Sequence, residues 1–189
     1  PESGLKDVNA FPKDLRASHG FDNQANQLTL SPLLLDAFLR LSVSIVESPD
    51  FNEQTVGIWQ EFFTEPEDDV ELSVEVSDRL KPFLLLAFCK PVDDVTRDRY
   101  VSYVVRKIET GVSFTEAMKK VTSAVLSSPL FLYRSENVAG QNAQFGIASR
   151  LSFFLWGSGP DQELLALAER GELSNPQALQ QTINRMLAD

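Results

Sequence analysis

The 189-residue chain holds one cysteine and one histidine. Cys89 alone cannot close a disulfide within the chain. A zinc site needs a cluster of Cys and His ligands, so no metal site is expected. The C-x-x-C-H motif that attaches haem c is absent, so no cofactor is expected in this chain. Positive charge is scarce as well: 17 Lys and Arg face 27 Asp and Glu, a formal net charge of −10. Nucleic-acid binders neutralise phosphates with clustered Lys and Arg. Here those residues are scattered, so nucleic acid is not an expected partner, and an anionic lipid surface is disfavoured for the same reason. Long apolar runs are missing too. The longest candidates, "FLLLAF" and "LSFFLW", have six residues each, against the roughly 18 that span a bilayer, and no direct membrane insertion is expected. The nine glycines are dispersed, so there is no glycine loop to cradle a phosphate.

What is present is a globular composition, 43% hydrophobic and 10% aromatic, enough for one substantial domain or two small helical ones. Ser31 can cap a helix with Pro32 at its first position. Leu34, Leu35, Phe38, Leu39 and Leu41 follow at helical spacing, up to a stop before Ser48-Pro49. "SDRLKPFLLLAFCK" predicts a helix from near Ser77, crossed by Pro82, with Leu80, Phe83, Leu84, Ala87 and Phe88 on one face. "PVDDVTRDRYVSYVVRKIETG" predicts another from Asp93 or Asp94 to Gly111, with Tyr100, Tyr103, Val104 and Ile108 in line. Ser113 and Glu116 form a capping-box pattern. Behind it Phe114, Ala117, Met118, Val121, Val125 and Leu126 line a core side. "PLFLYR" reads as a short extended or 3₁₀ segment.

The polar stretch "ENVAGQNAQ", residues 136 to 144, is the clearest internal boundary. Beyond it a helix should turn Ile147, Leu151, Phe154 and Leu155 inward. A second helix follows Pro160 and ends at Gly171. A third has Asn175 as cap, Pro176 at its first position and Leu179, Ile183, Met186 and Leu187 as its stripe. The expected class is all-α, a bundle of about seven amphipathic helices with short connections.

Residues 49–76 are the exception. They read as an irregular acidic connector. "VGIWQEFF" fits a short helix or a strand, and "TEPEDDVE" a solvated acidic loop. Val70, Leu72, Val74 and Val76 alternate with a period of two, which signals one short strand near 70–76. A lone strand would need a partner, and none is visible. The implied division is 1–48 as the C-terminal part of a first helical domain, then the 49–76 connector. A second helical domain follows at 77–136, and 137–189 form the N-terminal part of a third, packed on the others as one unit. Both ends of the chain read as cut from something larger.

No catalytic constellation is visible. His19 lies in a polar loop without a Ser-His-Asp arrangement around it. Cys89 follows an apolar helical run and reads as a small core residue. Asp68-Asp69, Asp93-Asp94 and the Glu65/Glu67 pair are sequence neighbours. Acid–base partners converge from separate elements, so these suit helix starts and solvated loops instead. The remaining binding candidates are Asp22, Asn23, Arg150 and Asp161. Asp22 and Asn23 can make Asx-turns and cap backbone N–H groups. Arg150 is the one positive charge in a very apolar helix. It could pair with Asp22 or Asp161, stand exposed, or take a ligand carboxylate or sulfate with two hydrogen bonds. A structural role is the simpler reading for all four.

Three stretches carry a resemblance. "FPKDLRASHGFDNQANQLTLSPLLLDAFL" resembles the end of one domain of planctomycete-type exported proteins with cytochrome-c-associated domains of unknown function. "LKPFLLLAFCKPVDDVTRDRYVSYV" with "GVSFTEAMKKVTSAVLSSPLFLYRSE" looks like a second domain of that architecture. "IASRLSFFLWGSGPDQELLALAERGELSNPQALQQTINRML" is similar to the start of a third. "AFCKPVDD" departs from the more basic "RAFRRPVT" form, which weakens any anion-binding role for that turn. The resemblance implies a periplasmic or extracellular location, haem c on a further module, and other domains of the same polypeptide as partners. The expected function is a helical scaffold or interaction region of a larger exported, cytochrome-linked protein. The alternatives are part of an extracellular oxidoreductase or polysaccharide-processing enzyme, or a non-catalytic ligand-binding module.

Overall fold

A computed structural model describes residues 32–67, 69–133 and 142–188. His19, Asp22, Asn23, Ser31, Asp68 and most of the polar boundary at 136–144 lie outside the described residues. Among the described residues the regular structure is helical throughout. Seven helices have eight or more residues: α1 Pro32–Val46, α3 Leu72–Phe88, α4 Asp94–Glu109, α5 Phe114–Leu126, α7 Ala143–Leu155, α8 Gln162–Glu169 and α9 Pro176–Ala188. Two more are single turns, α2 Trp59–Phe62 and α6 Pro129–Leu132, and a 3₁₀ turn spans Glu172–Ser174. The all-α expectation holds.

The strand signal at 70–76 does not become a strand. Helix α3 begins at Leu72, five residues before Ser77. The apparent alternation splits into two helical faces. Val76 is buried and Leu72 packs partly against the same core, four positions away, while Val70 and Val74 face solvent. A helix satisfies its own backbone groups, whereas a lone strand could not. Two other corrections concern side-chain direction. Phe154, expected inward, is 85% exposed, because α7 buries Phe145, Ala148 and Ser152 on the opposite side. Leu187, expected in the α9 stripe, is also exposed, since the buried positions are Thr182 and Met186, one turn apart.

The helix starts follow capping chemistry. Asp93 accepts from the Thr96 N–H at 2.6 Å, Ser113 from Glu116 at 3.3 Å, Asp161 from Leu164 at 2.8 Å and Asn175 from Gln177 at 2.9 Å. Each supplies an acceptor to a donor that the first helical turn leaves unpaired. The Glu116 carboxylate pairs with Lys119 at 3.6 Å. "PLFLYR" forms the single turn α6 behind Ser128, whose hydroxyl accepts from Leu130.

Among the described residues two hydrophobic cores result. The first joins α2, α3, α4 and α5 around Phe63, Val76, Leu80, Leu84, Val104, Met118 and Val121. Residues 51–63 contribute an aromatic cluster to it. Phe51, Trp59 and Phe62 surround Phe63 with ring centroids 4.8 to 5.4 Å away, in the range where offset and edge contacts are favourable. Helix α1 packs on α5 through its small residues. The buried Ser42 hydroxyl donates to the Leu39 carbonyl at 2.8 Å and lies 3.0 Å from that of Ser123. The second core joins α7, α8, the 3₁₀ turn and α9 around Phe145, Ala148, Leu164, Leu165, Leu173 and Met186. Leu85 of α3 packs onto this second core and so links the two.

Cys89 is buried, as expected for a small core residue. It also ends α3 in the left-handed region at φ 56°, where glycine is the usual occupant.

Candidate functional site: an acid-rimmed groove

A groove of about 760 Å³ lies where the two cores meet. Three elements build it. Helix α3 supplies Asp78, Arg79, Pro82, Phe83, Leu85 and Leu86 along one wall; α8 supplies Gln162, Leu165, Ala166 and Glu169 along the other; Ile58, Glu61 and Phe62 of the α2 segment close one side. The volume falls in the usual range of ligand sites, about 300–1,000 Å³. The floor is apolar, and Ile58 and Leu86 remain largely exposed.

Proline shapes the α3 wall. Pro82 has no N–H, so the Asp78 carbonyl one turn earlier cannot receive its helical hydrogen bond from that position. Asp78 and Pro82 both line the groove.

Charge around the groove is mostly negative. Glu61, Asp78 and Glu169 carry carboxylates on exposed residues. Among the described residues Arg79 is the one lining cation, and it is committed to the fold. Its Nε pairs with Glu75 at 2.6 Å. Its Nη1 donates to the Thr64 carbonyl at 2.5 Å and approaches that of Phe62 at 3.3 Å. The guanidinium lies 4.9 Å from the Phe114 ring centre, within cation–π range. Arg79 therefore clamps the α2 segment to α3. The Glu75/Arg79 spacing of four suits a helix pair, but the strand signal over 70–76 hides it, and the Arg79 hydrogen bonds to the Phe62 and Thr64 carbonyls carry no local signal.

The binding candidates from the sequence fall elsewhere. Asp22 and Asn23 lie outside the described residues. Arg150 sits on the exposed side of α7, and Asp161 pairs with another arginine. Asp161 caps α8 and also takes two hydrogen bonds from Arg185, at 2.7 and 3.3 Å. Arg185 reaches Glu163 at 3.3 Å and lies over the Trp156 ring at 5.5 Å. The Trp156 indole N–H donates to the Met186 carbonyl at 2.9 Å. This node ties α7, α8 and α9 together.

Among the described residues three carboxylates are held below their ordinary range, and none lines the groove. Thr96 hydrogen bonds lower Asp93. At Asp161, burial alone would raise the carboxyl, but the Arg185 hydrogen bond and charge and the Leu164 N–H outweigh it. Glu172 is lowered by its hydrogen bond from Arg170, whose own ionisation is raised in return. All three serve caps or ion pairs. Among the described residues no three His, Cys, Asp or Glu side chains gather as metal ligands. No helix among them is long and apolar enough to cross a membrane.

Three segments match known family models. Residues 3–48 match "PSD3: Protein of unknown function (DUF1587)", residues 75–136 match "PSD5: Protein of unknown function (DUF1595)", and residues 143–189 match "PSD4: Protein of unknown function (DUF1592)". No curated protein and no solved structure matches the chain. The chain thus carries three adjacent domains of unknown function, in the order PSD3, PSD5, PSD4.

Proposed function

We propose that this chain is a non-catalytic helical scaffold within a larger exported, cytochrome-linked protein, and that it works by binding rather than by turnover. One observation carries the reading. The charged groups with displaced ionisation are bound up in caps and ion pairs, while a concave surface among the described residues is an apolar groove between two helical cores. Acid–base catalysis wants titratable groups converging on a cleft. Here the displaced groups and the cleft are in different places. The order of the three matched segments supports the exported, cytochrome-linked context, since the sequence resembles proteins of that architecture.

The test has two parts. The purified chain, offered a panel of polysaccharides and of redox dyes with electron donors, should show no turnover above buffer; sustained turnover overturns the scaffold reading. The full-length protein, fractionated from its native cell and stained for covalent haem, should be found outside the cytoplasm with haem attached. A cytoplasmic, haem-free protein overturns the context.

A further inference from the structure

We infer that the groove between α3 and α8 is the docking site for a short amphipathic helix bearing Lys or Arg beside its apolar face. This rests on the scaffold reading and names the kind of partner it binds. Shape is the first argument. The α3 wall runs from Asp78 to Leu86 and the α8 wall from Gln162 to Glu169. At 1.5 Å per residue each is about 10–12 Å long, two helical turns. Two facing walls of two turns, with an apolar floor between them, fit a helix presenting residues i, i+3, i+4 and i+7.

Charge is the second argument. Glu61, Asp78 and Glu169 stand on the rim, and the only lining cation among the described residues, Arg79, is already paired with Glu75 and bound to two carbonyls. The rim therefore faces an occupant with net negative charge, and a cationic partner is complementary to it. A second copy of this chain is a poor occupant, because its net charge is −10.

The probe is a synthetic three-turn peptide with Leu at i, i+3, i+4 and i+7 flanked by lysines. It is titrated into the intact chain and followed by fluorescence anisotropy and by amide chemical shifts. It should bind, with shifts clustered on Leu86, Leu165 and their neighbours. Binding should weaken as salt shortens the Debye length to about 3 Å at 1 M. The same peptide with glutamate flanks should not bind. Asp78→Lys with Glu169→Lys should weaken the lysine peptide about tenfold or more. Should that double variant lose its helical circular dichroism, Leu86→Asp at an exposed position and the salt series on the unaltered chain carry the test. The inference is overturned by no binding, by equal binding of the two peptides, or by shifts elsewhere. It is also overturned if dodecyltrimethylammonium monomers bind as tightly as the peptide, which would assign the groove to small cationic amphiphiles. Dimerisation through Leu86 would overturn it too. None of these results touches the scaffold reading, which falls on turnover instead.

Discussion

The two cores are held by different means. The first is large and apolar, with Phe63, Leu80, Leu84, Met118 and Val121 fully buried and an aromatic cluster at one end. Its polar contributions include the Arg79 clamp, the exposed Asp93 cap of α4 and the Thr115 hydroxyl, which donates to the Phe63 carbonyl at 2.8 Å. The second is small, built on Leu164, Leu165, Ala148 and Ala168. It is laced by the Asp161–Arg185 pair, the Trp156 hydrogen bond to Met186 and a Gln144–Ser174 hydrogen bond. Apolar burial neither titrates nor is weakened by charge screening, while ion pairs are subject to both. The first core should therefore resist acid and salt better than the second.

Each core holds one of the two tryptophans, Trp59 and Trp156. Replacing one by Phe leaves the other as a private reporter, and single substitutions then separate the cores. The largest effect should come from Phe63→Ala, which empties the centre of the aromatic cluster. A loss of about 3–5 kcal/mol is expected in urea unfolding read at Trp59. Next comes Arg79→Met, which strips the Phe62 and Thr64 carbonyls of their donor and should cost about 2 kcal/mol on the same reporter.

Asp161→Ala should cost about 1–2 kcal/mol read at Trp156. About one unit is the lost cap; the ion pair adds less, because its carboxylate is more than a third exposed and screened. Asp161→Asn keeps a capping oxygen and should lose only the smaller part. The pH dependence has a definite sign. The folded Asp161 carboxyl titrates below its unfolded value of about 4. Its stabilisation is present above that value and lost as pH falls through the folded one. Acid should thus loosen the Trp156 region first, and Asp161→Asn should flatten that difference. The smallest effect belongs to Phe154→Ser, within about 0.5 kcal/mol, because the ring is exposed. Equal acid sensitivity at both tryptophans would end the comparison.

Local chemistry was legible in the sequence. The caps at Asp93, Ser113 and Asn175 each sit one residue before an apolar-periodic run, and each forms. The start of α3 was not legible, because Glu71 at its boundary offers no capping side-chain bond and the Leu72–Val76 spacing hides inside an alternation. Phe154 and Leu187 were misdirected because apolarity alone does not choose a face; the positions of Ser152 and Thr182, polar yet buried, set the rotation of their helices. Both hydroxyls donate to carbonyls of their own helices, which hides them from a hydrophobic pattern. The groove could not be read at all. Its walls are some 80 residues apart in sequence, and tertiary packing such as that of Leu85 on the second core brings them together.

Cys89 has one more consequence. A side chain added at Gly159, in the turn before α8, would meet its sulfur at 3.7 Å. The buried thiol thus lies against the turn that opens α8, and the chain has no other cysteine. A thiol reagent reaches a buried sulfur only when the structure around it opens. The labelling rate of Cys89 is accordingly a clock for opening at this turn, built into the molecule without any added tag.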